Sequence, residues 1–328
     1  HLCKKIRDAL GGAERPLAGM HIVVDAGNGA GGFFAGRILT PLGADTTGSQ
    51  FLDPDGHFPN HIPNPENADA MRAIKDAVVK NHADLGLIFD TDVDRMSAVL
   101  SDGTDVSRNA LIAMMAAILA PESPGSTIIT DSVTSDGLHD FLEDHLHLKH
   151  LRYMRGYKNV INECIRRNAA GEISPLAIET SGHGALSENY YLDDGAYLAV
   201  KLLIAAAKAH AEGKTLGDLI KDLRHPAEER EIRIKITGTD DVKAYGRDVL
   251  TAFEQRAKDR GLPIASPSYE GVRLIFPGGW ALLRMSLHDP NMPLNIEADA
   301  AGGADVIERE IRALLAGFDA LDLTGFHA

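Results

Sequence analysis

The sequence predicts an α/β protein: two tandem β-α-β-α-β domains with mainly parallel sheets, followed by a smaller α+β C-terminal domain. Three observations predict it. Short apolar runs alternate with helical periodicity from Gly19 to Leu223. The run ending in Asp25 and the run ending in Asp131 open two stretches with the same order of elements. After His225-Pro226 the rhythm changes to closely spaced strands between two helices.

In the first copy, strand His21–Val24 leads through a glycine-rich turn, Asp25–Gly32, to a helix over Phe33–Leu42 and a short strand near Asp45–Gly48. A proline-rich loop from Phe51 to Asn67 precedes helix Ala68–His82 and strand Asp84–Phe89, which delivers Asp90. The apolar helix Asn109–Ala120 introduces the second copy. Strand Thr127–Thr130 ends in Asp131, and helix Ser135–His147, strand Leu148–Met154, helix Lys158–Asn168 and strand Leu176–Ile178 follow. Asp25 and Asp131 close the first strand of each copy, Asp90 and Glu179 the third. Acids therefore stand at carboxyl ends of parallel strands, where ligands of open α/β sheets bind. Helices Gly195–Ala211 and Leu216–Leu223 complete this half. The last region reads as strand Glu231–Ile236, helix Asp240–Arg260, strands Gly271–Phe276, Ala281–Ser286 and Leu294–Ala298, and helix Ala304–Phe318. The expected domains are 1–104, 105–226 and 227–328.

With 328 residues, 44% hydrophobic and 24% charged, the composition is that of a globular chain, which excludes disorder, collagen and disulfide scaffolds. The longest apolar run, Ala110 to Ala120, falls well short of the ~20 residues that span a bilayer. With no basic, signal-like opening, a cytoplasmic protein without membrane association is expected. Cys3 and Cys164 form no framework or metal-ligand spacing. A net charge of −14 argues against nucleic acid, and small phosphate esters would need a local cluster of cations and N–H groups.

The strongest chemical feature is the segment from Asp90 to Arg95, which presents Asp90, Asp92 and Asp94 in alternation after an apolar strand. Three carboxylates on one short loop repel unless a cation neutralises them, and Mg²⁺ is the usual partner where phosphate esters bind. An EF-hand is excluded, because its sixth and twelfth positions would be Arg95 and Ser101. Asp90-Thr91-Asp92-Val93 also suits a haloacid-dehalogenase-like phosphatase with Asp90 as nucleophile and Asp193-Asp194 as distal acids.

Gly27 to Gly32 satisfies G-x-G-x-x-G, but Asp25 just before it would face a pyrophosphate, so a tight packing turn is the better reading. Glu179, Thr180, Ser181 and His183 bring an acceptor, hydroxyls and an imidazole to one strand end, a suitable set for sugar hydroxyls. Arg155 to Lys158 supplies cations at another strand end of the same copy. Arg284, Ser286 and His288, in a turn closed by Pro290, form a candidate anion cradle. Trp280 reads as core.

Together these motifs resemble the α-D-phosphohexomutase family, the phosphoglucomutase/phosphomannomutase enzymes, over nearly the whole chain. Asp90 to Arg95 resembles the family's Asp-Gly-Asp-x-Asp-Arg metal loop, with Thr91 in place of glycine. Glu179, Ser181, Gly182 and His183 resemble its Glu-x-Ser-Gly-His sugar loop. Phe58 to Glu66 is similar to its Phe-Pro-Asn-His-x-Pro-Asn-Pro-Glu stretch, and Arg155 to Ile161 to the loop carrying its active-site lysine. Arg284 to Pro290 resembles its Arg-x-Ser-Asn-Thr-Glu-Pro phosphate motif, with Leu287, His288 and Asp289 departing from it.

The resemblance implies an intramolecular phosphotransferase that moves phosphate between the 1 and 6 positions of a hexose through a bisphosphate intermediate. It implies Mg²⁺ on Asp90, Asp92 and Asp94; Arg95 and Lys158 as catalytic cations; Glu179, Ser181 and His183 on the sugar; and Arg284 and Ser286 on phosphate. The expected ligands are hexose phosphates and hexose 1,6-bisphosphate. The family's Thr-Ala-Ser-His-Asn-Pro phosphoserine loop has no match here. The chain is therefore expected to correspond to the second, third and fourth family domains and to be inactive alone, or to serve as a phosphosugar-binding fragment. Glucose or mannose preference and oligomeric state are not legible in the sequence.

Overall fold

The computed structural model describes residues 1–286 and 289–327. The chain divides into two compact units. The first holds 1–134, 138–151 and 155–223; the second holds 135–137, 152–154 and 224–328.

In the first unit, β1 (Ile22–Asp25) and β2 (Leu85–Phe89) run parallel, and β3 (Met96–Leu100) and β4 (Asp105–Val106) continue the sheet antiparallel in the order β1-β2-β3-β4. The second sheet is ordered β6-β5-β7-β8, from β5 (Thr127–Thr130), β6 (Lys149–Arg152), β7 (Leu176–Ile178) and β8 (Gly184–Leu186). Its β5–β7 pair is parallel and β7–β8 antiparallel. The parallel pairs agree with the sequence reading. The returning strands β3, β4 and β8, which the helix–strand alternation does not signal, fold the chain back right after each acid-bearing loop.

The helices have local causes. α1 is Leu2–Ala9, and α2 (Ala68–Asn81) starts where Asn67 accepts the N–H groups of Asp69 and Ala70 and ends at His82 in a left-handed conformation. The apolar stripe of α2, including Ala70, Ile74, Ala77 and Val78, packs on Val23, Ile88 and Val99. α3 (Arg108–Leu119) and α6 (Gly195–Ala211) are apolar nearly all round and buried in one core that both sheets share. α4 (Asp136–Asp140) and α5 (Tyr157–Ala169) complete the second copy.

Four expectations change. The helix expected over 135–147 gives way after α4 to a π-turn, Phe141–His145, and the one expected over Leu216–Leu223 is a 3₁₀ turn, Leu216–Leu219. The helix expected over 33–42 is broken into a π-turn, Phe34–Leu39, and a 3₁₀ turn, Thr40–Leu42, because Pro41 has no N–H for a regular ladder. Near 45–48 only the isolated pairings His21 with Asp45 and Asp25 with Gln50 occur, since the Asp45 carboxylate takes the N–H and hydroxyl of Thr47 and bends the chain.

The second unit carries β9 (Glu228–Ile236), β10 (Val272–Phe276), β11 (Gly279–Leu283), β12 (Asn291–Ala298) and β13 (Leu321–Asp322), in the antiparallel order β10-β11-β12-β9-β13. α7 (Val242–Asp259) and α8 (Gly303–Leu314) cover its core. Trp280 is buried, as the sequence suggests, with the Arg273 guanidinium 3.6 Å from its ring centre and 2.8 Å from Asp136 Oδ1.

Candidate active site

β2 is buried along its whole length and ends by handing Asp90 to a six-residue loop. Asp90 Oδ1 accepts the N–H groups of Val93 and Arg95 at 3.0 and 3.1 Å, and its Oδ2 accepts Arg95 Nε at 3.0 Å. One carboxylate thus curls the loop back on itself. Val93, at φ +73°, occupies the left-handed region that β-branched residues avoid. The curl brings carboxylate oxygens of Asp90, Asp92 and Asp94 within 4.8 Å of one another. Asp94 Oδ1 is buried without a hydrogen-bond partner among the described residues. Burial and the neighbouring Asp90 push the Asp94 carboxyl up to about 7.

β7 delivers Glu179 in the same way. The turn is closed by Glu179 N–H to the His183 carbonyl, 2.9 Å, and Gly182 N–H to the Glu179 carbonyl, 3.1 Å. Glu179 Oε1 accepts the Gly156 N–H at 2.6 Å, which ties the sugar-type loop to the start of α5. Burial, then the charge of Asp131, raises the Glu179 carboxyl to about 7 against the opposing pull of that N–H and of Arg155. Thr180 donates to Asp131 Oδ2 at 2.7 Å. Ser181 Oγ is buried without a partner among the described residues. His183 Nδ1 lies 2.8 Å from Asp193 Oδ2 and 3.6 Å from Asp94 Oδ2, and its ring stacks on Tyr157 at 5.1 Å.

Of the sequence-derived candidates, Asp94 and Arg95 therefore meet His183, with Asp90 and Asp92 on the same loop as the first two and Glu179 and Ser181 on the same turn as that histidine. Lys158 is exposed, its ammonium 5.8 Å from the Tyr157 ring centre, with no ion pair among the described residues. Arg284 and Ser286 belong to the second unit. Arg284 is buried, with Nη1 3.7 Å from Glu270 Oε1, and Ser286 Oγ accepts the Asp289 N–H at 3.1 Å. Leu287 and His288 lie outside the described residues.

The glycine turn is a packing device. A Cβ on Gly29 would sit 2.8 Å from the Thr91 carbonyl oxygen, and one on Gly32 1.9 Å from that of Leu52. The turn therefore seats the acid loop and the proline-rich loop closely. Asp193 joins Asp94 and His183 in a second close cluster, with ligand atoms within 4.8 Å of one another, and Asp194 caps the N-terminus of α6. Sequence reasoning underrated Asp193, Tyr157 and Asp131. Their signal was only their place beside motif residues, since a lone acid or tyrosine carries no spacing pattern.

Acids at the carboxyl ends of strands in two like α/β copies define a class: α/β proteins with polar loops at the strand ends, where open sheets receive small ligands. The chain belongs to the phosphoglucomutase/phosphomannomutase family. Residues 4–103 match its alpha/beta/alpha domain II and residues 107–226 its alpha/beta/alpha domain III. A phosphomannomutase/phosphoglucomutase of Pseudomonas syringae pv. tomato is 30% identical over 313 residues, 95% of this chain and 63% of that protein. A crystal structure of a family protein from Burkholderia thailandensis superposes with a TM-score of 0.79 at 24% identity, covering 97% of this chain and 64% of that one. The Aspergillus fumigatus N-acetylphosphoglucosamine mutase, solved with GlcNAc-6P and magnesium, shares the fold at a TM-score of 0.61 and 13% identity, over 96% of this chain and 68% of that one. The chain thus spans under two thirds of the length of the curated relative. Among the described residues no helix is long and apolar enough to cross a membrane.

Proposed function

We propose that the chain binds a hexose phosphate and hexose 1,6-bisphosphate as part of a phosphohexomutase, moving phosphate between the 1 and 6 positions of the sugar. The observation that carries this reading is the backbone bridge between Arg95 and His183, which joins a three-carboxylate loop to a loop suited to sugar hydroxyls. We infer family-like domains at 1–104, 105–226 and 227–328, and a reducing, cytoplasmic setting from the free thiols Cys3 and Cys164.

Asp90, Asp92 and Asp94 offer hard oxygen donors, and Asp94 Oδ1, buried without a hydrogen bond among the described residues and 3.8 Å from Arg95 Nε, belongs to a raised carboxyl that suits a divalent ion. Mg²⁺ held there would supply charge neutralisation at a phosphoryl group. Arg95, fixed by Asp90, directs its remaining guanidinium donors at phosphate oxygens. Ser181 and Glu179 hold sugar hydroxyls, and the Glu179 carboxyl near 7 can exchange a proton at neutral pH. His183 is fixed by Asp193 and Tyr157 as a further sugar contact. Lys158, without an ion pair among the described residues at the start of α5, supplies a further cation, and Arg284 and Ser286 supply phosphate contacts in the second unit. The family's phosphoserine loop has no counterpart among these 328 residues, so binding and orientation are the roles assigned to them.

Calorimetric titration with glucose 1,6-bisphosphate and Mg²⁺ tests the reading. Glu179→Ala is expected to weaken binding at least tenfold, and undiminished affinity would overturn it. Beryllium fluoride trapped on Asp90 would instead identify a haloacid-dehalogenase-like phosphatase.

A further inference from the structure

The proline-rich loop carries no metal ligand and none of the residues assigned to sugar or phosphate, yet it is anchored by a buried ion pair. Asp25, at the end of β1, is fully buried, and the His61 side chain is only 3% exposed. His61 Nε2 lies 3.0 and 3.1 Å from the two Asp25 oxygens, and His61 Nδ1 lies 3.0 Å from the Ile62 carbonyl oxygen. With Asp25 as the carboxylate, both partners only accept hydrogen bonds, so both ring nitrogens donate and the ring carries two protons. Asp25 also accepts the Gly27 N–H and Gln50 Nε2, each at 2.8 Å. The fit is close: Gly27 has φ +52°, and a Cβ there would lie 2.8 Å from Pro63 Cβ and 3.0 Å from His61 Cε1.

Just beyond this anchor the loop reaches two arginines. Asn64 Oδ1 accepts from Arg95 Nη1 at 3.3 Å, and Glu66 Oε1 lies 3.9 Å from Arg155 Nη2. Asn64 Oδ1 also accepts the Glu66 N–H at 2.9 Å, which fixes the two contacts relative to each other. Arg155 in turn stands 3.9 Å from Asp131, the acceptor of Thr180 in the sugar-type loop.

We propose that Asp25 and His61 are positioning residues: their buried imidazolium–carboxylate pair seats the proline-rich loop so that Asn64 and Glu66 hold the guanidinium groups of Arg95 and Arg155 over the phosphosugar site. The proposal rests on the reading of residues 90–95 and 179–183 as that site. It explains why a loop that touches no expected ligand has a charged pair in its foundation, where an apolar contact would cost less desolvation. Asp25 and Asp69 are the charged groups facing His61, and the Asp25 hydrogen bond holds its imidazole above the ordinary value against the effect of burial. The pair is therefore complete below ~6.5 and is lost as pH rises through the raised folded value.

The test is nuclear magnetic resonance of the full chain with ¹⁵N-labelled histidine and arginine, beside titration with glucose 1,6-bisphosphate and Mg²⁺. At pH 7 the His61 ring should carry protons on both nitrogens. His61→Gln and Asp25→Asn should each move the Arg95 Nε–H resonance and weaken bisphosphate binding at least tenfold. Asn64→Ala should move the same arginine resonance and leave the His61 signals in place, which keeps the test open if the first two variants fail to fold. A singly protonated His61 at pH 7, or an Arg95 resonance that Asn64→Ala leaves unmoved, would overturn the proposal. If the unmodified chain binds no bisphosphate, the site reading fails, while the ring protons and the arginine resonance still decide the anchor.

Discussion

The backbones of Arg95 and His183 pair as an isolated antiparallel bridge, which brings the carboxylate loop and the turn at 179–183 together. Gly195 N–H, 2.9 Å from the Val93 carbonyl, ties the start of α6 to the same carboxylate loop. The two α/β copies are therefore joined at the residues assigned to ligand binding.

Gly182 makes that join possible. Its φ is +97°, and a Cβ would lie 2.9 Å from the Met96 carbonyl oxygen. Gly182→Ala combines a strained backbone with a backbone clash and is expected to cost about 2–3 kcal/mol. Chemical denaturation measures this, and a loss below about 1 kcal/mol would show that the two loops separate freely.

Val93 carries strain where a glycine would carry none. Val93→Gly removes buried side-chain contact but relieves about 1–2 kcal/mol of left-handed backbone strain. Val99, fully buried in β3, has no such offset. Val93→Gly is expected to destabilise by about 1–2 kcal/mol less than Val99→Gly, and equal losses in urea melts would remove strain from the account.

Asp94 couples the loop to pH. Its folded carboxyl near 7, against ~3.9 unfolded, binds a proton more tightly in the folded state, so the ion-free chain loses stability as pH rises from ~4 to about 7. A divalent ion on the loop cancels that loss. Addition of Mg²⁺ should raise Tm more at pH 8 than at pH 5.5, and the same rise at both would exclude Asp94 as a ligand.

Asp193 governs the imidazole beside it. Burial pulls the His183 value down, but the Asp193 hydrogen bond and charge, with Asp94, raise it overall. The stabilisation this pair contributes is complete below ~6.5 and is lost as pH rises through the raised folded value. In ion-free protein, Asp193→Asn should lower the His183 titration midpoint. Histidine resonances followed against pH report it, and an unmoved midpoint would mean that another group holds the ring.

Much of this site is written locally. Alternating Asp90, Asp92 and Asp94 after an apolar strand signals a cation loop because like charges on one turn need neutralising, and Glu179 to His183 reads as a polar turn at a strand end. Asp25, by contrast, looked like an obstacle to a nucleotide turn. Its partner His61 lies far along the chain, and no periodicity links them. Lys158 shows the reverse: its motif is legible, yet its ammonium has no ion pair among the described residues and lies 5.8 Å from the Tyr157 ring centre.

The sequence by itself determined the two like α/β copies, the α+β last domain and the loops that carry the acids, because periodicity, caps and turn residues act over a few positions. Only the tertiary structure decided that β3 and β8 turn back beside the acid loops, that Arg95 pairs with His183, and that His61 anchors the loop bracing two arginines. Those relations depend on burial and on donor and acceptor matching between residues distant in sequence, and such matching exists only once the chain is packed.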